Sequence, residues 1–254
     1  MTTRQHVTGC LRAVSAGAVF LLVPGCAHLR LQPKDMALIP AGAFLMGSPE
    51  NQGEPDEHPR HQVYLEAFFM DQKLVTVAQY KSFAAATNRP MHPRPAWNQD
   101  DHPMVYVSWD DAAAYCAWAG KRLPTEAEWE KAARGGTQTA FSFGDDETRI
   151  GDYAWYIDNS GGATRSVGTK KPNQYGLYDM IGNVYEWVSD RYGEDYYRDS
   201  PPRDPQGPAS GGARVLRGGA WGSTAYYCRS ANRYSGDPQL GYDLRGFRCA
   251  SAGR

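Results

Sequence analysis

Residues 214–249, reading RVLRGGAWGSTAYYCRSANRYSGDPQLGYDLRGFRC, concentrate the side chains of this chain that could do chemistry. Of its two cysteines, Cys228 and Cys249, the first sits among arginines, tyrosines and small hydroxyl residues, in a run with neither helical nor strand period. A cysteine reacts or binds soft metals only as its thiolate, so Cys228 is a candidate catalytic thiol if its surroundings favour that form. Trp221, Tyr226, Tyr227, Arg229, Arg233, Tyr234 and Tyr242 make a second candidate, a binding surface. Tyrosine supplies a large contact area at low entropy cost, and the Ser and Gly residues between adapt to a partner. A third cluster, Glu54, Asp56, Glu57, His58 and His61, contains metal-ligand types, but a solvated acidic loop is the expected form of residues 49–60.

An aperiodic segment has to be held by the elements around it. The 254 residues are 41% hydrophobic and 22% charged, which suits one large domain or two small ones. A net charge of -1 without any Lys/Arg-rich run excludes a nucleic-acid surface. With 16 Tyr, 7 Trp, 27 Gly and 17 Pro, the composition predicts a loop-rich fold of low helix content, packed by aromatic rings. Capping boxes place three helices: Thr76 with Gln79 opens residues 77–87, Ser108 with Asp111 opens 109–119 before Gly120, and Thr125 with Glu128 opens 126–134 before Gly135. In the second helix Ala112, Tyr115, Cys116 and Ala119 share a face, which turns Cys116 inward. Short strands are expected over 36–40, 43–47 and 62–70.

Residues 1–25 read as a signal peptide: Arg4 and Arg12 precede an apolar run, 13–23, too short to span a bilayer. The run ends Leu21-Leu22-Val23-Pro24-Gly25-Cys26 and resembles a bacterial lipoprotein cleavage site, with Cys26 as the lipidated residue. That implies an exported protein attached to the membrane through a lipid, the alternatives being ordinary secretion or an uncleaved anchor. In a Gram-negative envelope it would lie on the outer membrane, since Ala27 is not the retaining Asp. Residues 26–35 form a tether and 36–254 the folded domain. Outside the cytoplasm disulfides can form, and with Cys10 and Cys26 set aside, Cys116, Cys228 and Cys249 make one bridge and one leftover thiol, with the pairing left open.

Six blocks in order, MALIPAGAFLMG from Met36, PMVYVSWDDA from Pro103, GKRLPTEAEWE from Gly120, YGLYDMIGNVYEW from Tyr175, Arg217-Gly218-Gly219 and Gly246-Phe247-Arg248-Cys249, resemble the sulfatase-modifying-factor family, whose founding activity is formylglycine generation. The resemblance implies a single irregular, loop-rich α+β domain related to C-type lectin folds. It implies a Cys116–Cys249 disulfide, leaving Cys228 without a partner because Ala133 and Ser230 stand where a second bridge would be. It also implies a structural calcium ion held by Asp179, by the carbonyls of Gly182 and Val184, and by Glu186. Hard oxygens on alternate residues suit that ion, and the alternative is a capped turn with Glu186 in a salt bridge.

Formylglycine generation uses two thiolates on copper(I). By resemblance the first falls at Ser223, a hydroxyl that cannot replace a thiolate, and Cys228 lies five residues on, at the spacing of the second. Copper is therefore not expected. Three functions follow from the resemblance: a non-copper binding, scaffolding or maturation factor for a protein, peptide or small ligand of the envelope; a divergent formylglycine-generating oxidase that uses oxygen; or a retroelement-diversified variable protein, whose substitutable positions match the Tyr- and Ser-rich residues here.

Overall fold

The computed structural model describes Met1 and residues 33–253. Residues 2–32, which hold Cys10, the expected lipidation position Cys26 and nearly all of the expected signal segment and tether, lie outside the described residues. Among the described residues no helix is long and apolar enough to cross a membrane.

Helices α1 (Val77–Thr87), α2 (Trp109–Trp118) and α3 (Glu126–Arg134) each open on a reciprocal capping box formed by the expected pair. In each box the Ser or Thr oxygen accepts the N–H three residues on, and the side chain there accepts the cap's own N–H. Asp111 fills this place as a shorter stand-in for Glu. Helix α3 ends on the left-handed Gly135, whereas α1 ends on Asn88 at φ 54°, a left-handed cap without glycine.

Strand β1 (Met36–Ile39) pairs antiparallel with β4 (Phe68–Asp71), and β4 pairs with β9 (Ala250–Ala252), so the two ends of the domain share one sheet. Strands β2 (Gly42–Met46) and β3 (His61–Leu65) form a separate antiparallel pair. The single strand expected over 62–70 is therefore two strands that join different sheets, with the chain breaking register at Glu66 and Ala67. The third sheet has the order β7-β6-β5-β8, with β5 (Tyr185–Arg191), β6 (Arg214–Arg217), β7 (Arg233–Gly236) and β8 (Arg245–Gly246). Three of its strands come from the aperiodic block 214–249, and at two to four residues each they are too short to show a period.

Strand β5 feeds two cores because successive side chains point to opposite faces. Tyr185 and Trp187 join Tyr80, Phe83, Tyr115 and Phe247 beside α1 and α2, while Val188 packs with Trp129 of α3. Asp190, two residues on from Val188, accepts the Glu126 N–H at the start of α3 (2.8 Å). Cys116 of α2 and Cys249 form a disulfide inside the first core, Cα atoms 5.6 Å apart, which ties the helix to the segment entering β9.

Candidate binding cleft

The turn after β6 shows why Arg217-Gly218-Gly219 has that composition. Arg217 is fully buried and runs toward α3. Its Nη2 donates to a Glu130 carboxylate oxygen and to the Ser230 carbonyl, and its Nη1 donates to the Ala231 and Asn232 carbonyls at 2.9 and 2.7 Å. One guanidinium thus holds both α3 and the returning segment 230–232. The next two residues have φ of 97° and 73°, and a Cβ would stand 3.0 Å from Trp129 at 218 and 2.7 Å from the Cys228 Sγ at 219. Only glycine threads the gap between that ring and that thiol.

Beyond the turn lies a cleft of about 600 Å³, lined by Tyr185, Ser223, Tyr227, Tyr234, Tyr242, Leu244 and Arg245 together with Gly222 and Thr224. Tyr185 and Tyr234 stack with centroids 5.0 Å apart. Ser223 Oγ accepts the Ala220 N–H at 3.0 Å and donates to the Tyr185 hydroxyl at 3.4 Å. Burial pushes the Tyr185 phenol up to about 12, so it stays protonated and serves as a hydrogen-bonding group.

Cys228 does not line the cleft. It has no exposed surface and packs with Phe141, Ile150, Ala154 and Ile181. Burial pushes its thiol up to about 12, which keeps it neutral and unreactive. Copper(I) needs two accessible thiolates, and Cys228 is the only free cysteine among the described residues. A cleft hydroxyl at Ser223 and a sealed, protonated thiol do not fit that ion.

Of the residues expected on a binding surface, Tyr226, Tyr227, Tyr234 and Tyr242 are exposed by 41% to 49%. Trp221 is half-buried against Trp97 and donates to the Asp243 carbonyl at 3.1 Å. The two arginines need correction. Arg233 is buried: its Nε donates to Glu126 Oε1 at 2.7 Å and its Nη1 to the Asp56 carbonyl at 2.8 Å. Arg229 is turned inward, its two Nη atoms donating to the two Glu57 oxygens at 2.7 and 2.8 Å. The same pairs correct the reading of the acidic loop as solvated. Asp56 and Glu57 are buried, Tyr192 donates to Asp56 at 2.7 Å, and the loop is clamped onto the C-terminal block by counter-charges far along the chain. His58 meets the Gln52 carbonyl and His61 that of Pro59, and no group of three or more His, Cys, Asp or Glu among the described residues is placed to hold a metal. The cleft residues missed in the sequence are Tyr185, Leu244 and Arg245, brought there by the parallel pairing of β5 with β8, which leaves no local signal.

The stretch expected to hold calcium carries two buried carboxylates. Asp179, at φ 52°, accepts the Gly168 N–H at 2.6 Å, and Glu186 takes both Nε and Nη2 of Arg248 at 2.7 and 3.0 Å. The salt bridge weighed as the alternative is therefore present. Burial raises the pKa of both acids, offset in part at Asp179 by the Gly168 N–H and the Arg248 and Lys73 charges, and at Glu186 by Arg248. The Gly182 and Val184 carbonyls accept no hydrogen bond from the described residues. Two hard carboxyl groups and two free carbonyls fit a hard cation.

Residues 26–252 match the family of the sulfatase-modifying factor enzyme 1-like domain. The formylglycine-generating enzyme of Streptomyces coelicolor is 35% identical over 290 residues, across 90% of this chain and 92% of that protein. A Chlamydia caviae protein named serine/threonine-protein kinase pkn1 is 38% identical over 85% of this chain, which spans only 38% of its length. Among solved structures, PvdO from Pseudomonas aeruginosa superposes with a TM-score of 0.77 and Treponema denticola variable protein 1 with 0.75. Each is 32% identical, across 85% of this chain and 94% of the other.

Proposed function

The chain belongs to the sulfatase-modifying factor enzyme 1-like family, and on that premise we propose that it is an exported, lipid-anchored binding or maturation factor without copper chemistry. The observation that carries this reading is the division of the two thiol positions. Ser223 presents a hydroxyl to the cleft, while Cys228 lies sealed behind Gly219 with its proton retained. What remains at the cleft is recognition. Stacked phenols, a backbone-supported hydroxyl and a guanidinium bind and orient a ligand. Copper(I) titration, followed by oxygen uptake in the presence of a cysteine-containing sulfatase peptide, tests the reading. Neither stoichiometric copper binding nor turnover is expected, and turnover lost in Cys228→Ser would overturn it.

Calcium belongs to the same proposal. Asp179 and Glu186 would supply carboxylate oxygens, and Gly182 and Val184 carbonyls, with the ion cross-linking loops that lack a ladder. Anchoring rests on Cys26, and Cys26→Ser should move the protein from the membrane fraction to the soluble one. A second reading, a diversified ligand-binding protein, is supported by the exposed Tyr226, Tyr227, Tyr234 and Tyr242 around the cleft and by the likeness to the variable protein. A near-copy of the coding sequence for residues 221–247 close downstream, differing mainly at adenines, would favour it, and its absence would remove it.

A further inference from the structure

Among the described residues the most deeply placed guanidinium groups near the C-terminal block are matched by carboxylates: Arg217 by Glu130, Arg229 by Glu57, Arg233 by Glu126 and Arg248 by Glu186, while the partly buried Arg60 and Arg214 donate only to carbonyls. Of the arginines without an ion pair, Arg245 is the one placed in the cleft. It lines the cleft, is only partly exposed, and makes no ion pair among the described residues. Its one hydrogen bond runs from Nη1 to the Leu240 carbonyl at 2.9 Å. The guanidinium is nevertheless held in place, 5.2 Å from the Trp187 ring centroid and 4.3 Å from that of Tyr242. It lies against the backbone of Gly236, where a Cβ would come within 2.9 Å of its Cζ and both Nη atoms. A planar donor fork is thus fixed and partly desolvated, with the Asp237 charge near enough to act on it but no carboxylate within ion-pair distance among the described residues. The Leu240 carbonyl and the two rings hold the group, and its remaining N–H donors are left for an anion from outside.

Beside it the stacked Tyr185 and Tyr234 rings offer an aromatic platform, and the volume of about 600 Å³ falls in the range that holds a small molecule. We propose that the cleft takes a small aromatic molecule bearing a carboxylate, the Arg245 fork binding the anion and the Tyr185–Tyr234 pair receiving the ring. This rests on the cleft being the functional site, and it makes the cleft hostile to cationic ligands.

The test uses 3-(4-hydroxyphenyl)propionate, its primary amide and tyramine, three probes sharing one ring and differing in charge. Each is titrated into the folded protein by calorimetry and by NMR of the tyrosine resonances. A charge-assisted fork makes the acid bind about tenfold or more tighter than the amide, with tyramine weakest. Arg245→Gln is expected to bring acid and amide to within about twofold of each other. Gly236→Ala offers a second route, because its methyl group takes the space of the guanidinium and displaces it without removing charge. It should reduce the preference while circular dichroism and melting temperature stay close to wild type, and it reads the proposal even if Arg245→Gln folds poorly. An amide that binds as well as the acid, tyramine binding tightest, a preference that survives both substitutions, or no binding by any probe would overturn the proposal. The absence of copper chemistry stands or falls separately, on the copper titration.

Discussion

Glu57→Gln removes the charge that clamps residues 49–60 onto the C-terminal block. The Glu57 side chain has no exposed surface, and its carboxylate accepts from both Arg229 Nη atoms, from Ser48 Oγ and from Asn232 Nδ2 at 3.3 Å. Its loss would strand the Arg229 guanidinium, whose side chain is 12% exposed. Removing one partner of a buried pair costs about 3–5 kcal/mol, and because Gln keeps an acceptor the lower end, about 3 kcal/mol, is expected. That is a large share of the stability of a typical domain. The same contacts set a pH dependence. Burial pushes the Glu57 carboxyl up, but hydrogen bonds from Arg229 and Ser48 and the Arg229 charge outweigh it and hold the folded value below the ordinary 4.5. The stabilisation is therefore present above about 4.5 and is lost as the pH falls through the lower folded value. Urea unfolding at neutral and acidic pH of the wild type, Glu57→Gln, Arg229→Met and the double variant reads both effects. The double variant should cost well under the sum of the singles, since both charges leave together. A Glu57→Gln cost below about 1 kcal/mol at neutral pH, or strict additivity, would refute this reasoning.

Asp190 titrates in the opposite sense. Burial first, and the Glu126 charge second, push it up to about 7, against hydrogen bonds from the Glu126 N–H and Ser189 Oγ. Its folded pKa exceeds its unfolded one, so stability is fully present below the ordinary 3.8 and is lost as pH rises through about 7. Asp190→Asn, which keeps an acceptor, should flatten that loss, worth up to about 4 kcal/mol, and an unchanged stability profile between mildly acidic and neutral pH would count against it. For calcium, a chelator at neutral pH should lower the melting temperature and added calcium should restore it. A melting temperature indifferent to both would remove the ion from Asp179 and Glu186.

The frame was legible where its determinants are local. Thr76 with Gln79, Ser108 with Asp111 and Thr125 with Glu128 sit three residues apart, so a capping box can be read from the chain, and the inward face of α2 places Cys116 in the core. What escaped was set by distant partners. Glu57 looks solvated until Arg229 is seen beside it, 172 residues away, and Arg233 looks displayed until Glu126 is found under it, 107 residues away. Arg245 and Tyr185 meet only because β8 pairs parallel to β5, a crossover with no local signature. Cys228 shows the limit most plainly. Its spacing from Ser223 suits a thiol pair, but the packing of Phe141, Ile150 and Ile181 around it decides that it stays protonated.

The most direct measurement of the central claim is the reaction with a cysteine-containing sulfatase peptide under copper(I) and oxygen, followed by mass spectrometry of the peptide. The cysteine should remain intact, with oxygen uptake at background and the same result in wild type and Cys228→Ser. Formylglycine appearing with the wild type and vanishing with Cys228→Ser would show that the buried thiol is a working copper ligand and would contradict the account.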